Sequence, residues 1–164
     1  MIENILEAVA NKNTRILIVG SMPGVISLQK QQYYGNTRNH FWRIMAEIVQ
    51  QAIPEKYEER LTLLQQHQIG LWDVIKSCER QGSLDSAIKK ETPNDFPRFF
   101  KAFPEIQLVL FNGGKAQQVF NRYFKQSDWP HIHFVKMPST SPVPGRNVKS
   151  FEEKLADWQT TFGR

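Results

Sequence analysis

Between residues 33 and 42 the chain reads Tyr33-Tyr34-Gly35-Asn36-Thr37-Arg38-Asn39-His40-Phe41-Trp42. Two residue types with a use in base chemistry are crowded together here. Aromatic rings stack on any nucleobase, because every base offers a π-face. A primary amide can hydrogen-bond a base edge, or hold a water in place, without adding charge. Asn36 and Asn39 are equally suited to ending a turn and capping the helix that follows, and Asn39 can serve both purposes. His40 adds an imidazole that could act as acid or base, or simply begin that helix.

Other chemistry-bearing residues sit where apolar runs stop. Gly20-Ser21-Met22-Pro23-Gly24 follows Ile16-Leu17-Ile18-Val19. A Gly/Pro-rich loop after a strand lets backbone N–H groups approach a base or a phosphate; the same residues also make an ordinary tight turn. The phosphate loop G-x-x-x-x-G-K-[ST] is absent. Trp72-Asp73 and Asn112-Gly113-Gly114 end two further runs, and Asp73 and Asn112 each suit either a polar contact or a turn. Met137-Pro138-Ser139-Thr140-Ser141-Pro142 ends another. Two prolines stiffen that loop, so three hydroxyls can face a backbone phosphate at little entropic cost. Arg146 and Lys149 follow, as phosphate contacts or as solvated cations.

These loops need a scaffold. The continuous β-branched run at residues 15–19 reads as a buried parallel strand, and the apolar segments 71–75, 106–111 and 132–137 read as three further strands. Apolar spacing predicts helices over 41–51, 56–68, 115–124 and 150–161, with Ser150 as an N-cap. Residues 2–10 also carry helical spacing, short helices are expected at 83–89 and 94–102, and residues 21–40 read as a long polar loop. Strands alternating with helices imply a mostly parallel sheet covered on both faces. Such sheets carry their sites at the carboxyl ends of the strands, so the loops above form one composite site.

At 164 residues, 40% hydrophobic and 12% aromatic, the chain is expected to fold as a single domain over residues 1–164. The lone Cys78 excludes an internal disulfide and fits a reducing, cytoplasmic setting. The first residues lack the basic start and apolar run of a signal peptide. A net charge of +5 and pI near 9.4 allow an anionic partner such as nucleic acid without requiring one. His131 and His133 alternate on a strand with no further ligand cluster, so no metal is expected. A nucleotide-handling hydrolase on a generic doubly wound sheet would need a carboxylate cluster or a phosphate loop, and neither is seen; a DNA-binding module without activity stays open.

The sets GSMPG, YYGNTRNHFW and MPSTSP, spread over one α/β domain, resemble the motifs of the uracil-DNA glycosylase superfamily, and within it those of the hypoxanthine-DNA glycosylases. The resemblance spans roughly residues 16–158. It implies an α/β/α three-layer sandwich around a four-stranded parallel sheet of order 2-1-3-4. It also implies a monofunctional, monomeric enzyme that uses no cofactor and releases a deaminated base from DNA, hypoxanthine first, with uracil as the alternative. Where uracil-cleaving branches carry a water-orienting Asp or Asn, this chain has Met22, and the role passes to Asn39. Where many relatives begin the second motif with His, it has Met137. The base pocket is expected from Gly20, Ser21, Met22, Pro23, Tyr33, Tyr34, Trp72 and Asn112. DNA contacts are expected from Pro138, Ser139, Thr140, Ser141, Pro142, Arg146 and Lys149.

Overall fold

The computed structural model describes residues 1–143 and 148–163. Four strands, β2 (Ile16–Gly20), β3 (Ile69–Asp73), β6 (Leu108–Asn112) and β7 (His133–Met137), form a parallel sheet in the order β3-β2-β6-β7. Numbered among themselves, that order is 2-1-3-4. Alternation along each strand separates two cores. Ile18, Leu108 and Leu110 face one side; Leu17, Val19, Val109 and Phe111 face the other, the period of two that a pleated strand imposes.

The first side is covered by α2 (Phe41–Val49), α3 (Tyr57–Gln66) and α6 (Phe151–Phe162), which contribute Phe41, Ile44, Met45, Leu64 and Trp158. The second is covered by α4 (Phe96–Ala102) and α5 (Gly114–Tyr123), whose Phe96, Phe99, Phe100 and Phe120 form an aromatic cluster. The result is the three-layer sandwich. Ser150 caps α6 in a full capping box with Glu153.

Sequence periodicity misplaces a second sheet. β1 (Ile2–Glu3), β4 (Ile75–Glu79) and β5 (Lys89–Pro93) pair antiparallel in the order β1-β4-β5. The helical spacing of residues 2–10 is therefore not a helix. Ile2 pairs with Cys78, Val9 bridges to Leu71, and Ile5 is left 54% exposed. The Asn4 side chain stops a helix here by accepting from the Leu6 N–H. The helix expected at 83–89 reduces to one 3₁₀ turn, Asp85–Ala87, before β5. The strand expected at 71–75 ends at Asp73, because Val74 turns the chain into β4. The loop after β2 holds a short helix, α1 (Val25–Lys30).

Candidate active site

The carboxyl ends of β2, β3, β6 and β7 open into one cleft of about 940 Å³. Glycine makes room at its floor. A Cβ on Gly20 would stand 2.6 Å from Asp73 Oδ1 and 3.5 Å from Tyr34 Oη, so any other residue would fill the space between those two groups.

Asp73 ends β3 and is 4% exposed. Its Oδ2 accepts from Asn4 Nδ2 at 3.1 Å; among the described residues Oδ1 has no partner and borders the cleft. Burial pushes this carboxyl up to about 7, helped by repulsion from Asp85 and opposed by the Asn4 hydrogen bond and the Arg80 cation. Asn4 is held firmly, since its Nδ2 also donates to the Ile75 carbonyl and its Oδ1 accepts from Leu6.

The Tyr34 ring stacks on Phe41, with centroids 3.9 Å apart at 15°. Its backbone takes φ +56°, uncommon for an aromatic residue, which turns the ring back over α2. Tyr34 Oη accepts from Asn112 Nδ2 at 3.1 Å, leaving the phenol proton to donate elsewhere. Desolvation raises the Tyr34 hydroxyl well above its ordinary range, so it remains a donor.

Asn39 lies on the cleft wall, half-buried. Its Oδ1 accepts from Phe41 N–H at 2.9 Å, tying down the first turn of α2. Among the described residues its Nδ2 has no partner. The amide thus anchors the turn into α2 one residue ahead of the N-cap position, which is His40, while its NH₂ stays unpartnered among the described residues. His40 follows, half-buried, with its backbone N–H on Thr140 O at 3.0 Å.

Asn112 joins β6 to the loop after β7. Its Nδ2 donates to Tyr34 Oη and to Thr140 Oγ1 (3.0 Å), and its Oδ1 accepts from Thr140 N at 2.9 Å. Both amide protons are spent, so Asn112 braces the cleft rather than offering donors to a base edge. Thr140 is 1% exposed and equally committed, which leaves Ser139 and Ser141 as the loop hydroxyls near solvent. Gly113 lets the loop sit close: at φ +95° its absent Cβ would be 3.1 Å from Ser139 Cβ.

The remaining expected residues divide. Gly20, Ser21, Met22, Pro23, Tyr33 and residues 138–142 line the cleft. The Ser21 hydroxyl is engaged with Asp85 at 2.7 Å, and the Tyr33 hydroxyl with the Glu7 carbonyl at 2.8 Å. Trp72 is a correction. Alternation along β3 sends its ring to the opposite side, where it stacks on Phe99 at 4.3 Å and packs on Phe96 and takes no part in the cleft wall. Lys149, at the rim, is exposed and paired with Asp157. Arg146 lies outside the described residues. His131 and His133 are exposed.

A model of the uracil DNA glycosylase superfamily matches residues 8–160. The chain belongs to that superfamily. Two relatives are named hypoxanthine DNA glycosylase. The one from Methanosarcina acetivorans is 37% identical, with 99% of both chains covered. The one from Methanosarcina barkeri is 44% identical, with 95% of both covered. A solution NMR structure of a candidate uracil DNA glycosylase from Methanosarcina acetivorans superimposes with TM-score 0.80 at 36% identity, covering 96% of this chain and 94% of that one. In this member of the superfamily Met22 and Met137, 7% and 3% exposed, are packing residues of the two cores.

Three polar residues beside the cleft escaped assignment from sequence: Asn4, Asp85 and Lys154. Asp73 was visible as a strand-end carboxylate, but only the fold reveals its burial. That burial has a thermodynamic consequence. The unfolded carboxyl releases its proton near 3.8 and the folded one near 7, so the folded state binds the extra proton and stability falls as pH rises through that window. Asp73→Asn is therefore expected to melt several degrees above the parent at about pH 8 and by a smaller margin at about pH 5. Thermal melts at the two pH values check this; an equal or lower melting point at the higher pH refutes it. No helix among the described residues is long and apolar enough to cross a membrane.

Proposed function

We propose that this protein is a monofunctional DNA glycosylase that hydrolyses the N-glycosidic bond of deoxyinosine, releasing hypoxanthine and leaving the strand intact. It acts as a single-domain monomer over residues 1–164, in the cytoplasm, without metal or cofactor. The relatives' names support the substrate class. The observation that carries the reading is the polar pair flanking Gly20.

Deamination turns the ring N1 of adenine from an acceptor into an N–H donor and replaces the amino group by a carbonyl. An ionised Asp73 Oδ1 is acceptor-only and suits the new N–H. The Tyr34 phenol proton suits the new carbonyl. Adenine presents the reverse pattern, and a site built around a specific polar pair rejects its inverse strongly. The flipped base would lie over Gly20 with Met22 and Tyr34 as apolar walls. Uracil carries the same N–H and carbonyl on a smaller ring, so a purine preference would come from the fit of the cleft.

In the reaction the C1′–N9 bond breaks with its electrons passing to the purine, while a water oxygen bonds to C1′. The water's proton leaves to solvent. An amide is too weak a base to take it, so Asn39 orients the water, and the DNA phosphates stabilise the oxocarbenium-like cation. Ser139 and Ser141, between Pro138 and Pro142, would hold the flanking backbone, with Lys149 and Arg146 supplying charge.

Single-turnover reactions on duplexes containing inosine, uracil, xanthine or only normal bases, read after alkaline cleavage of abasic sites, test the assignment. Inosine is expected to be cleaved fastest. No abasic product from any lesion sinks the enzyme reading, and uracil cleaved well above inosine overturns the substrate.

A further inference from the structure

Lys154 lies in the first turns of α6 and is 2% exposed, on the cleft wall. Buried cations are ordinarily paired with carboxylates. Among the described residues none stands within ion-pairing distance of this one. Its Nζ instead donates to the Ser141 carbonyl at 3.0 Å and meets His40 Nδ1 at 3.4 Å. His40 in turn donates its backbone N–H to Thr140 O at 3.0 Å. One ammonium therefore joins α6, the 138–142 loop and the start of α2, next to Asn39.

We propose that Lys154 is a positioning residue of this site: its ammonium clamps Ser141 and a neutral His40 together, and so holds Asn39 in register with the DNA-facing loop. The inference rests on the reading that Asn39 orients the attacking water. A neutral imidazole offers Nδ1 as an acceptor; a protonated one offers only N–H groups and sets a second cation against Nζ.

The surroundings favour the neutral ring. Desolvation holds His40 below its ordinary range, Lys154 and Arg43 repel its proton, and only Glu152 attracts it. The ring lies edge-on to Phe151 at 5.3 Å, and the Arg43 guanidinium covers that same ring at 3.9 Å. The charged groups facing His40 from α2 and α6 are thus two cations and one carboxylate. Losing the clamp on protonation is separable from the ionisation of Asp73, since each removes the active form independently. The acid limb of the rate should steepen from a slope of about one to about two once both groups protonate.

The test combines an NMR titration of the His40 imidazole with single-turnover pH profiles on an inosine duplex. Met matches the bulk of Lys and a buried charge is often replaced without harm, so Lys154→Met is expected to fold. In it His40 should titrate at higher pH, and with no clamp left to break the acid limb should keep only the Asp73 slope of about one. Its rate should fall about tenfold below the parent at about pH 8, where the parent's clamp is intact, and by less at low pH, where the parent's own clamp opens. In His40→Asn the amide oxygen replaces Nδ1 and cannot titrate, so the limb should return to a slope of about one. An unchanged His40 titration in Lys154→Met, or a parent-like rate and acid limb in that variant, overturns the proposal. Lys154→Gln replaces Lys154→Met if the latter misfolds. Should the parent release no base, the glycosylase reading fails, while the imidazole titration still decides whether Lys154 governs His40.

Discussion

Asn39→Ala is expected to slow release of hypoxanthine from an inosine duplex by about 10²- to 10³-fold while changing the Kd for that duplex by no more than about threefold. The loss comes from a water left without orientation over C1′, a contact that matters in the transition state more than in the bound complex. Asn39 Oδ1 also holds the Phe41 N–H, so the alanine variant should lose about 1 kcal/mol of stability with that hydrogen bond as well. Asn39→Ser separates the two contributions. Its hydroxyl still reaches the helix N–H but is too short to present an amide to the cleft, so stability should recover and the rate should not. A single-turnover rate retained in Asn39→Ala removes Asn39 from the mechanism.

Asp73→Asn is expected to lower hypoxanthine release about 10²-fold, for a reason set outside the cleft. Both Asn4 Nδ2 protons are already placed, on Asp73 and on Ile75 O. The new amide must therefore point its oxygen at Asn4 and its NH₂ into the cleft, where Oδ1 had been. A donor then faces the purine N1–H, the arrangement that leaves both groups unpaired. The pH profile gives the decisive readout. The parent should gain rate as pH rises through about 7, as Asp73 ionises to its accepting form, and the variant should lose that limb. An Asp73→Asn enzyme with the parent's rate and pH profile would show that the base is read elsewhere. The same substitution should raise thermal stability, the trade expected where a buried charge is kept for function.

The parallel sheet and its covering helices were legible because short apolar segments alternate with stretches that carry an apolar face, as in Phe41, Ile44 and Met45. The second sheet was not. Strand β5 is Lys89-Lys90-Glu91-Thr92-Pro93, half exposed, and becomes a strand only through its partner β4. The same distinction governs the site. Asn39, Tyr34 and residues 138–142 stand in compact motifs that can be read locally. Trp72 was misassigned and Asp73 undervalued for one reason: adjacent residues at a strand end face opposite sides, and sequence alone does not say which side holds the cleft. Asn112 could be read from sequence as a polar contact or a turn residue, but not as a brace, because its partners arrive from Tyr34 and Thr140. Lys154 looks like any surface lysine on an amphipathic helix until α6 is docked.

The cleft's polar contacts also carry a kinetic implication. Asn4 reaches Asp73 across 69 positions, Asn112 reaches Tyr34 across 78, and Lys154 meets His40 across 114. Such contacts close large loops, and chain entropy defers them until most of the molecule has condensed. A nascent or partly folded chain can hold much of its helix and strand content while Asp73, Tyr34 and Asn39 are still out of place. Completion of the cleft is therefore expected late in folding, after β1 and α6 have docked, with its early loss expected when either detaches.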